Sequence, residues 1–212
     1  MAGNIFDEFA EDWDQDPAKV ERARQVALSI RERIPLDRNW EAMEFGCGTA
    51  HLSFFLRSEL GHITLVDNSA GMLAVVKRKI AAAGAENMIP WLADLTTGKV
   101  PERRFDLIYT LMVLHHLPDP GAILPVFGSL LREGGWLCVA ELEKGAVSFH
   151  SEDFEGHDGF SRPELLELVS KAGFEALRID DCCRIRRERR GRIEEFNILL
   201  LTGRKAIGAD PL

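Results

Sequence analysis

The 212-residue sequence lacks several features that would place it in a broad class of protein. Its unbroken apolar runs are only a few residues long, whereas a membrane-spanning helix needs about 20 residues. We therefore expect no membrane span. Residues 1–16 are acidic and contain no apolar segment of the kind that a secretory signal requires. These absences favour a cytoplasmic protein.

The sequence also has few cysteines and fewer basic residues than acidic ones. The four cysteines form neither a C-x-x-C pair nor a disulfide framework, which is typical of a reducing compartment; they are Cys47, Cys138, Cys182 and Cys183. The 26 basic residues are outnumbered by 34 acidic ones, so the formal net charge is −8. Such a charge disfavours general attraction to nucleic acid or to an anionic membrane, and we expect no nucleic-acid partner. The sequence indicates no oligomeric state.

Short apolar segments alternate with amphipathic ones from Trp40 onward. Strands are predicted over 41–45, 62–66, 88–92, 105–110, 135–141, 174–180 and 194–202. Helices are predicted near 50–60, 69–82, 119–132 and 161–172. This alternation indicates parallel β-α-β units with helices on both faces of one sheet. The last two strands are joined by a charged turn near 187–192 without a helix, so we expect them to form an antiparallel hairpin.

Local signals mark the ends of the predicted helices. The Asp16-Pro17 and Asp119-Pro120 pairs each combine a capping acid with proline at the first helical position. Ser161 and Glu164 have the spacing of a capping box. Left-handed glycines are expected just past three helix ends, at Gly61, Gly84 and Gly173. Residues 1–212 are predicted to form one domain, in which 1–39 is a helical N-terminal extension or lid and 40–204 is the core.

A glycine loop directly follows the first predicted strand. Glycine allows the backbone to turn sharply and to approach a ligand closely, and Gly46-Cys47-Gly48 lies between a strand and a helix. A dinucleotide-binding loop would need a third glycine where His51 stands. Glu44, two residues before the first glycine, would repel a phosphate and attract a cation. The loop therefore favours a ligand with a cationic group over a dinucleotide.

Acidic residues end each of the first three predicted strands or follow them. Asp67 lies 19 residues after Gly48, close to the spacing of about 20 for an acid that binds a ribose. Asp94 follows the third strand and could accept a hydrogen bond from an adenine amino group. Because the carboxyl ends of parallel strands share one edge, we expect Glu44, Asp67 and Asp94 to face one ligand that carries adenine, ribose and a cation.

In these segments the sequence resembles the class I methyltransferases that depend on S-adenosylmethionine (SAM), from about residue 6 to residue 204. The matching segments are 44–50, 65–69 with Met72, 93–95, 105–109, 111–117 and 130–137. Ala50 stands where the family motif E/D-x-G-x-G-x-G ends in glycine. The resemblance implies a Rossmann-like α/β fold with helices on both faces of a mostly parallel seven-stranded sheet. It further implies strand order 3-2-1-4-5-7-6, with the last strand antiparallel.

The resemblance implies transfer of a methyl group from SAM to an acceptor, with S-adenosylhomocysteine (SAH) as product. We expect the acceptor to be a small molecule; neither its identity nor the O, N, S or C atom methylated is indicated. The residues expected to bind SAM are Glu44, Gly46, Cys47, Gly48, Asp67, Asn68, Met72, Asp94, Leu95, Thr110, Leu111 and Trp13. Candidates for acceptor-side chemistry are His116, His150 and His157, and no general base is assigned. No metal site is expected.

Two other functions are compatible with parts of this pattern, and two further segments of the chain suggest roles near the site. An NAD-dependent oxidoreductase would use the same sheet edge, although His51 and Glu44 count against it. A SAM-binding partner subunit without catalysis would keep the donor site. The polar loop 148–160 is predicted to be a mobile lid over the acceptor, with an apolar wall of Phe149, Phe154 and Phe160. The arginine cluster at 184–192 is either a solvated hairpin tip or an anion-binding patch.

Overall fold

Seven strands form one sheet in the order β3-β2-β1-β4-β5-β7-β6. The computed structural model describes residues 5–97, 100, 102–145, 147–150, 154–189 and 191–208. The strands are β1 (Glu41–Phe45), β2 (His62–Asp67), β3 (Met88–Leu92), β4 (Phe105–Leu111), β5 (Leu131–Leu142), β6 (Phe174–Arg189) and β7 (Arg192–Lys205). Strands β1 to β5 pair in parallel, and β7 is antiparallel to both β5 and β6. The predicted Rossmann-like order and antiparallel last strand are confirmed.

The helices are α1 (Ile5–Phe9), α2 (Pro17–Arg33), α3 (His51–Leu56), α4 (Ala70–Ala83), α5 (Pro120–Leu130) and α6 (Arg162–Lys171). Short 3₁₀ turns lie at Trp13–Gln15, Leu95–Thr97 and Leu114–His116. The predicted helix starts are confirmed. Asp16 accepts a hydrogen bond from the Ala18 amide at 2.9 Å, Asp119 caps α5, and Ser161 and Glu164 form the capping box of α6. None of the helices within the described ranges is long and apolar enough to cross a membrane.

The sheet carries an apolar core on each face. Neighbouring residues of β1 contribute to opposite faces, because side chains alternate along a strand. Ala42 packs in the cluster that includes residues of α2, α3 and α4, whereas Met43 packs in the cluster that includes residues of α5 and α6. Both are fully buried. A strand buried on both faces in this way is typical of the centre of a parallel sheet covered by helices.

The structure corrects several predicted boundaries. Helix α3 ends at Leu56 rather than near residue 60, and α5 ends at Leu130 because Leu131 already pairs with Phe105 of β4 ahead of a bulge. Strand β6 continues to Arg189 rather than ending at residue 180. Its extension forms a long hairpin with β7, and Ile185 and Phe196 of that hairpin pack in the same core cluster as α2.

The expected left-handed glycines are confirmed at two of three helix ends. Gly84 has φ +57° and Gly173 has φ +85°. Gly61 is not left-handed, and its lack of a side chain serves a close backbone approach instead. A Cβ atom at Gly61 would lie 2.7 Å from the carbonyl oxygen of Arg38 and 2.9 Å from that of Trp40. These backbone oxygens cannot move aside easily, since the Gly61 amide donates to the Trp40 oxygen at 3.0 Å.

We predict that Gly61→Ala lowers the free energy of unfolding by about 1–3 kcal/mol, because the added methyl group overpacks a backbone contact. Gly145→Ala is the matched control, since the nearest atom to its Cβ position is 3.7 Å away, and it should change stability by less than about 0.5 kcal/mol. Urea titration of both variants measures the difference. Equal stabilities would show that the close approach at Gly61 carries no energetic cost.

Candidate active site

A cavity of about 420 Å³ lies at the carboxyl edge of the sheet. The last residues of β1, β2 and β4 and the turns that follow them form its floor. Ligand pockets of roughly 300–1,000 Å³ are usual in proteins, and in open α/β sheets they lie at this edge. The cavity therefore has the place and the size expected of the ligand site.

Three residues of the glycine loop, at alternate positions, have a left-handed backbone conformation. Gly46, Gly48 and Ala50 have φ of +64°, +51° and +64°. A Cβ atom at Gly46 would lie 2.5 Å from a methyl carbon of Val113, and one at Gly48 would lie 3.8 Å from Nε1 of Trp13. Gly46 is therefore required by both conformation and space. Ala50, where the motif lost its glycine, still adopts the glycine-like conformation.

Asp67 links the glycine loop to β2. One carboxylate oxygen accepts a hydrogen bond from the Gly48 amide at 2.8 Å, and the other accepts one from the Ser69 amide at 2.9 Å. Burial raises the pKa of Asp67 despite these hydrogen bonds. Asp94, after β3, is exposed, and its carboxylate accepts hydrogen bonds from the amide and hydroxyl of Thr96. Both acids line the cavity.

Glu44 is 3% exposed and lies beneath the loop. Its carboxylate accepts hydrogen bonds from both the amide and the hydroxyl of Ser53, and the Ser53 hydroxyl also contacts the Tyr109 hydroxyl at 2.5 Å. Burial raises the pKa of Glu44 to about 8, because few surrounding groups compensate for the loss of water. Glu44 is therefore largely neutral near pH 7, and a cation placed beside it would favour its ionised form.

The N-terminal segment closes one side of the cavity. Asp14 lies 2.7 Å from the Lys79 ammonium and 2.9 Å from the His51 ring, and it accepts a hydrogen bond from the Thr49 hydroxyl at 2.5 Å. Asp7 accepts hydrogen bonds from Ser69 and Gly71 at the start of α4. These contacts fix Phe6 and Trp13 on the cavity wall.

Histidine rings gather on the cavity wall beside Phe6, whose ring centroid lies 5.3 Å from that of His116. His115 is fully buried, and its Nδ1 lies 2.7 Å from a carboxylate oxygen of the equally buried Glu141. Its Nε2 has no hydrogen-bond partner among the described residues. The ring centroids of His116 and His150 lie 4.1 and 5.0 Å from that of His115. Burial, reinforced by His115, lowers the pKa of His116 to about 3 and that of His150 to about 4.

Two hairpin arginines hold the segment that carries His150. Arg187 donates to the Phe149 carbonyl at 2.9 Å and lies 3.6 Å from the centroid of its ring. Arg189 donates to the carbonyls of Ser148 and Phe149. The arginine cluster is therefore more than a solvated tip, because part of it fixes the loop beside the cavity.

Comparisons with known proteins agree on the family of folds. A family model described as a methyltransferase domain matches residues 43–137. The ubiquinone biosynthesis O-methyltransferase of Hydrogenovibrio crunogenus is 20% identical over 184 residues, covering 79% of this chain and 76% of that protein. Methyltransferase GfsG of Streptomyces halstedii is 24% identical over 181 residues, covering 78% of this chain and 65% of that protein.

Solved structures match nearly the whole chain. Phosphoethanolamine N-methyltransferase 2 of Haemonchus contortus, solved with SAM, has a TM-score of 0.71 at 13% identity and covers 97% of this chain and 61% of its own. The cyclase SpnF has a TM-score of 0.71 at 18% identity and covers 87% of this chain and 81% of its own. The chain is a SAM-dependent methyltransferase of the class I fold.

Most of the residues predicted to bind SAM line the cavity of this methyltransferase: Trp13, Glu44, Gly46, Cys47, Gly48, Asp67, Asn68, Met72, Asp94 and Leu111. Leu95 and Thr110 do not line it; both are buried, and Leu95 packs in the core on the α5 face. His116 and His150 line the cavity. His157 does not, and its amide donates to the His115 carbonyl at 2.7 Å.

Of the aromatic residues predicted to form an apolar wall for the acceptor, only one lines the cavity. Phe149 lines the cavity, Phe154 stacks on His150 at 3.6 Å between centroids, and Phe160 is buried in the core. Residues 151–153 of the predicted lid lie outside the described residues. No group of three metal-ligating side chains suited to a metal ion occurs within the described ranges.

Cavity residues outside the predicted SAM-binding set include Phe6, Lys19, Arg22, His115 and Arg187. His115 had a sequence signal, its place beside His116 after β4. Its partner Glu141 had none, because only the pairing of β4 with β5 brings the two together. Met112 adopts φ +58°, a costly conformation for a residue other than glycine, at the same edge of the cavity.

We predict that Glu44→Gln changes how the stability of the methyltransferase depends on pH. Between the ordinary pKa of 4.5 and about 8, the folded protein holds a proton at Glu44 that the unfolded chain releases. The free energy of unfolding therefore falls as pH rises through this window. Relative to wild type, Glu44→Gln should gain roughly 2 kcal/mol between about pH 5.5 and about pH 7.5.

Urea titrations at the two pH values measure this gain. Glu188→Gln, at an exposed position of the hairpin, is the control and should show no such change relative to wild type. A constant difference between Glu44→Gln and wild type at both pH values would contradict a neutral buried Glu44.

Proposed function

We propose that this methyltransferase methylates a small molecule at an ionisable group whose proton is taken by His115. The observation that carries the proposal is the buried His115–Glu141 pair at the wall of the cavity, with Nε2 of His115 unpartnered among the described residues. A buried polar atom without a partner costs free energy, which is consistent with a position kept for a ligand.

The donor end of the cavity fits SAM in space and charge. Gly46 has no room for a side chain, and Glu44, Asp67 and Asp94 end or follow three neighbouring strands. SAM supplies a methyl group already activated on a positively charged sulfur. We propose that Asp67 and Asp94 hold its ribose and adenine, that Glu44 favours its positive charge, and that Trp13 covers the glycine loop. Residues 1–39 then serve as a lid over the donor.

The acceptor end favours removal of a proton by His115. Because Nδ1–H of His115 donates a hydrogen bond to the Glu141 carboxylate, Nε2 keeps its lone pair and can act as a base. His116 and His150 are poorer bases, since their pKa values lie well below neutrality. The His115 ring is fully buried, so the acceptor reaches Nε2 by displacing one of the neighbouring rings. Orientation in this water-poor cleft supplies the remaining acceleration.

The pairing of the hairpin arginines supports a small acceptor over nucleic acid. Arg184 and Arg186 pair with Glu195, Arg189 pairs with Glu194, and Arg187 and Arg189 bind the loop carbonyls. A nucleic-acid surface needs basic side chains that are free to reach phosphates. Most of these hairpin arginines instead bind carboxylates or carbonyl groups of the protein itself.

His115→Gln should lower kcat about 100-fold or more, within the usual contribution of a general base, while SAH affinity stays within about threefold. Glu141→Gln should also lower kcat, because an amide in place of the carboxylate no longer fixes the tautomer that leaves Nε2 free to accept a proton. SAH formation is measured from SAM with a panel of hydroxyl, amine and thiol acceptors.

The control is an exposed pair of the same type at the other edge of the sheet, His62 and Glu41, whose ring nitrogen and carboxylate lie 3.0 Å apart. His62→Gln should leave kcat and SAH affinity unchanged. A His115→Gln enzyme that keeps at least half of the wild-type kcat would refute the role of His115 as the base.

A further inference from the structure

Three cationic side chains line the cavity in addition to the groups already assigned. Lys19 and Arg22 come from α2, and Arg187 comes from β6. No ion pair links any of the three to another residue in the part of the chain that the structure describes. In a protein of net charge −8, where neighbouring hairpin arginines are paired with glutamates, three cations without an ion-pair partner among the described residues require an explanation.

Two of the three cations are held by aromatic contacts that leave their charge available. The Lys19 ammonium lies 3.4 Å from the centroid of Trp13, and the Arg187 guanidinium lies 3.6 Å from that of Phe149. Stacking of this kind orients a cation without neutralising it. Nε of Arg22 is buried and has no hydrogen-bond partner among the described residues.

The three cations share the lining of one cavity, so their positive charges oppose one another. Burial lowers the pKa of Lys19, of Arg22 and of Arg187, and Arg22 lowers that of both Lys19 and Arg187 further. Asp16 opposes the effect at each cation, but its carboxylate already caps α2 through the Ala18 amide. Because an arginine does not lose its proton in proteins, the repulsion persists until an anion enters.

The neighbours of each cation divide the cluster between the two ends of the cavity. Trp13, under Lys19, lies against the glycine loop, where its Nε1 is 3.8 Å from the Cβ position of Gly48. Phe149, under Arg187, has its ring centroid 4.9 Å from that of His150, which is 5.0 Å from that of His115. Arg187 therefore belongs to the acceptor end, and Arg22 lines the same cavity.

We propose that Arg22 and Arg187 together bind an anionic group of the acceptor, a carboxylate or a phosphate. This inference rests on the proposed function and names the class of its substrate: a small molecule with an ionisable nucleophile at one end and an anion at the other. The guanidinium group suits both anions, because its parallel N–H donors match their paired oxygens. The SAM molecule carries a carboxylate too, so the test must separate donor from acceptor.

In the test, the SAH-saturated protein is titrated in a calorimeter with three separate ligands. Two are anions, 4-hydroxybenzoate and phenyl phosphate, and the third is the neutral 4-hydroxybenzamide. At least one anion should bind tenfold or more tighter than the amide. Arg22→Met should weaken that binding at least about tenfold, as expected for loss of a charge-assisted hydrogen bond. Arg186→Met is the matched control, because Arg186 is exposed and pairs with Glu195 at 2.8 Å, and it should leave binding unchanged.

Arg187 needs a pair of variants, because it also donates to the Phe149 carbonyl. Arg187→Met should abolish most of the preference for the anion, whereas Arg187→Lys, which retains the charge, should keep more of it. Equal loss in both variants would show that Arg187 acts by holding the loop, and would overturn its part in the site.

A titration of each variant with SAH alone separates the remaining outcomes. If Arg22→Met binds SAH as tightly as wild type does, the assignment of Arg22 to the acceptor is supported. A tenfold loss of SAH affinity would show that Arg22 binds the donor carboxylate, and would overturn the proposal. Absence of any preference for anions in wild type that binds SAH would overturn the substrate class and leave methyl transfer standing. Failure of folded wild type to bind SAH would refute the proposed function itself.

Discussion

Between Gly46 and Ala50 the backbone turns left-handed three times within five residues, and this turn determines where the rest of the site lies. It ends β1, allows the Gly48 amide to reach Asp67 at the end of β2, and starts α3. Only a residue without a side chain fits beside Val113 at Gly46. Because the turn is bonded to β2 and packed against the segment after β4, the ends of three strands are fixed relative to one another. A ligand at this edge therefore meets a preformed surface.

The cavity built on this turn has opposite charge preferences at its two ends. Glu44, Asp67 and Asp94 contribute acidic groups near the glycine loop, beside the Lys19 ammonium, while Arg187 leaves positive charge near the histidines. Inside a cleft with little water such charges act over longer distances than at the surface. A positively charged donor and an anionic acceptor would each be favoured at one end. This polarity would align the two substrates before any bond changes, which is how a methyltransferase gains most of its rate.

The motifs around β1 to β4 could be predicted from the sequence because each depends on local spacing. The glycine loop, Asp67 and the capped starts of α2, α5 and α6 all follow from residues close together in the chain. The acceptor side could not be predicted, because its residues meet through long-range packing. Glu141 reaches His115 only because β5 lies beside β4, and Arg187 reaches the cavity only because β6 extends past residue 180. Gly61 illustrates the same limit, since its place after a helix suggested a left-handed cap and its real constraint is a contact with Trp40.

The roles assigned to the site all require that the cavity at the carboxyl edge binds the sulfur nucleotides and not a dinucleotide. Calorimetric titration of the folded protein with SAM, SAH and NAD as separate ligands tests it directly. We expect SAM and SAH each to bind at one site per chain and NAD to give no signal. Binding of NAD, or silence from both sulfur nucleotides, would contradict it.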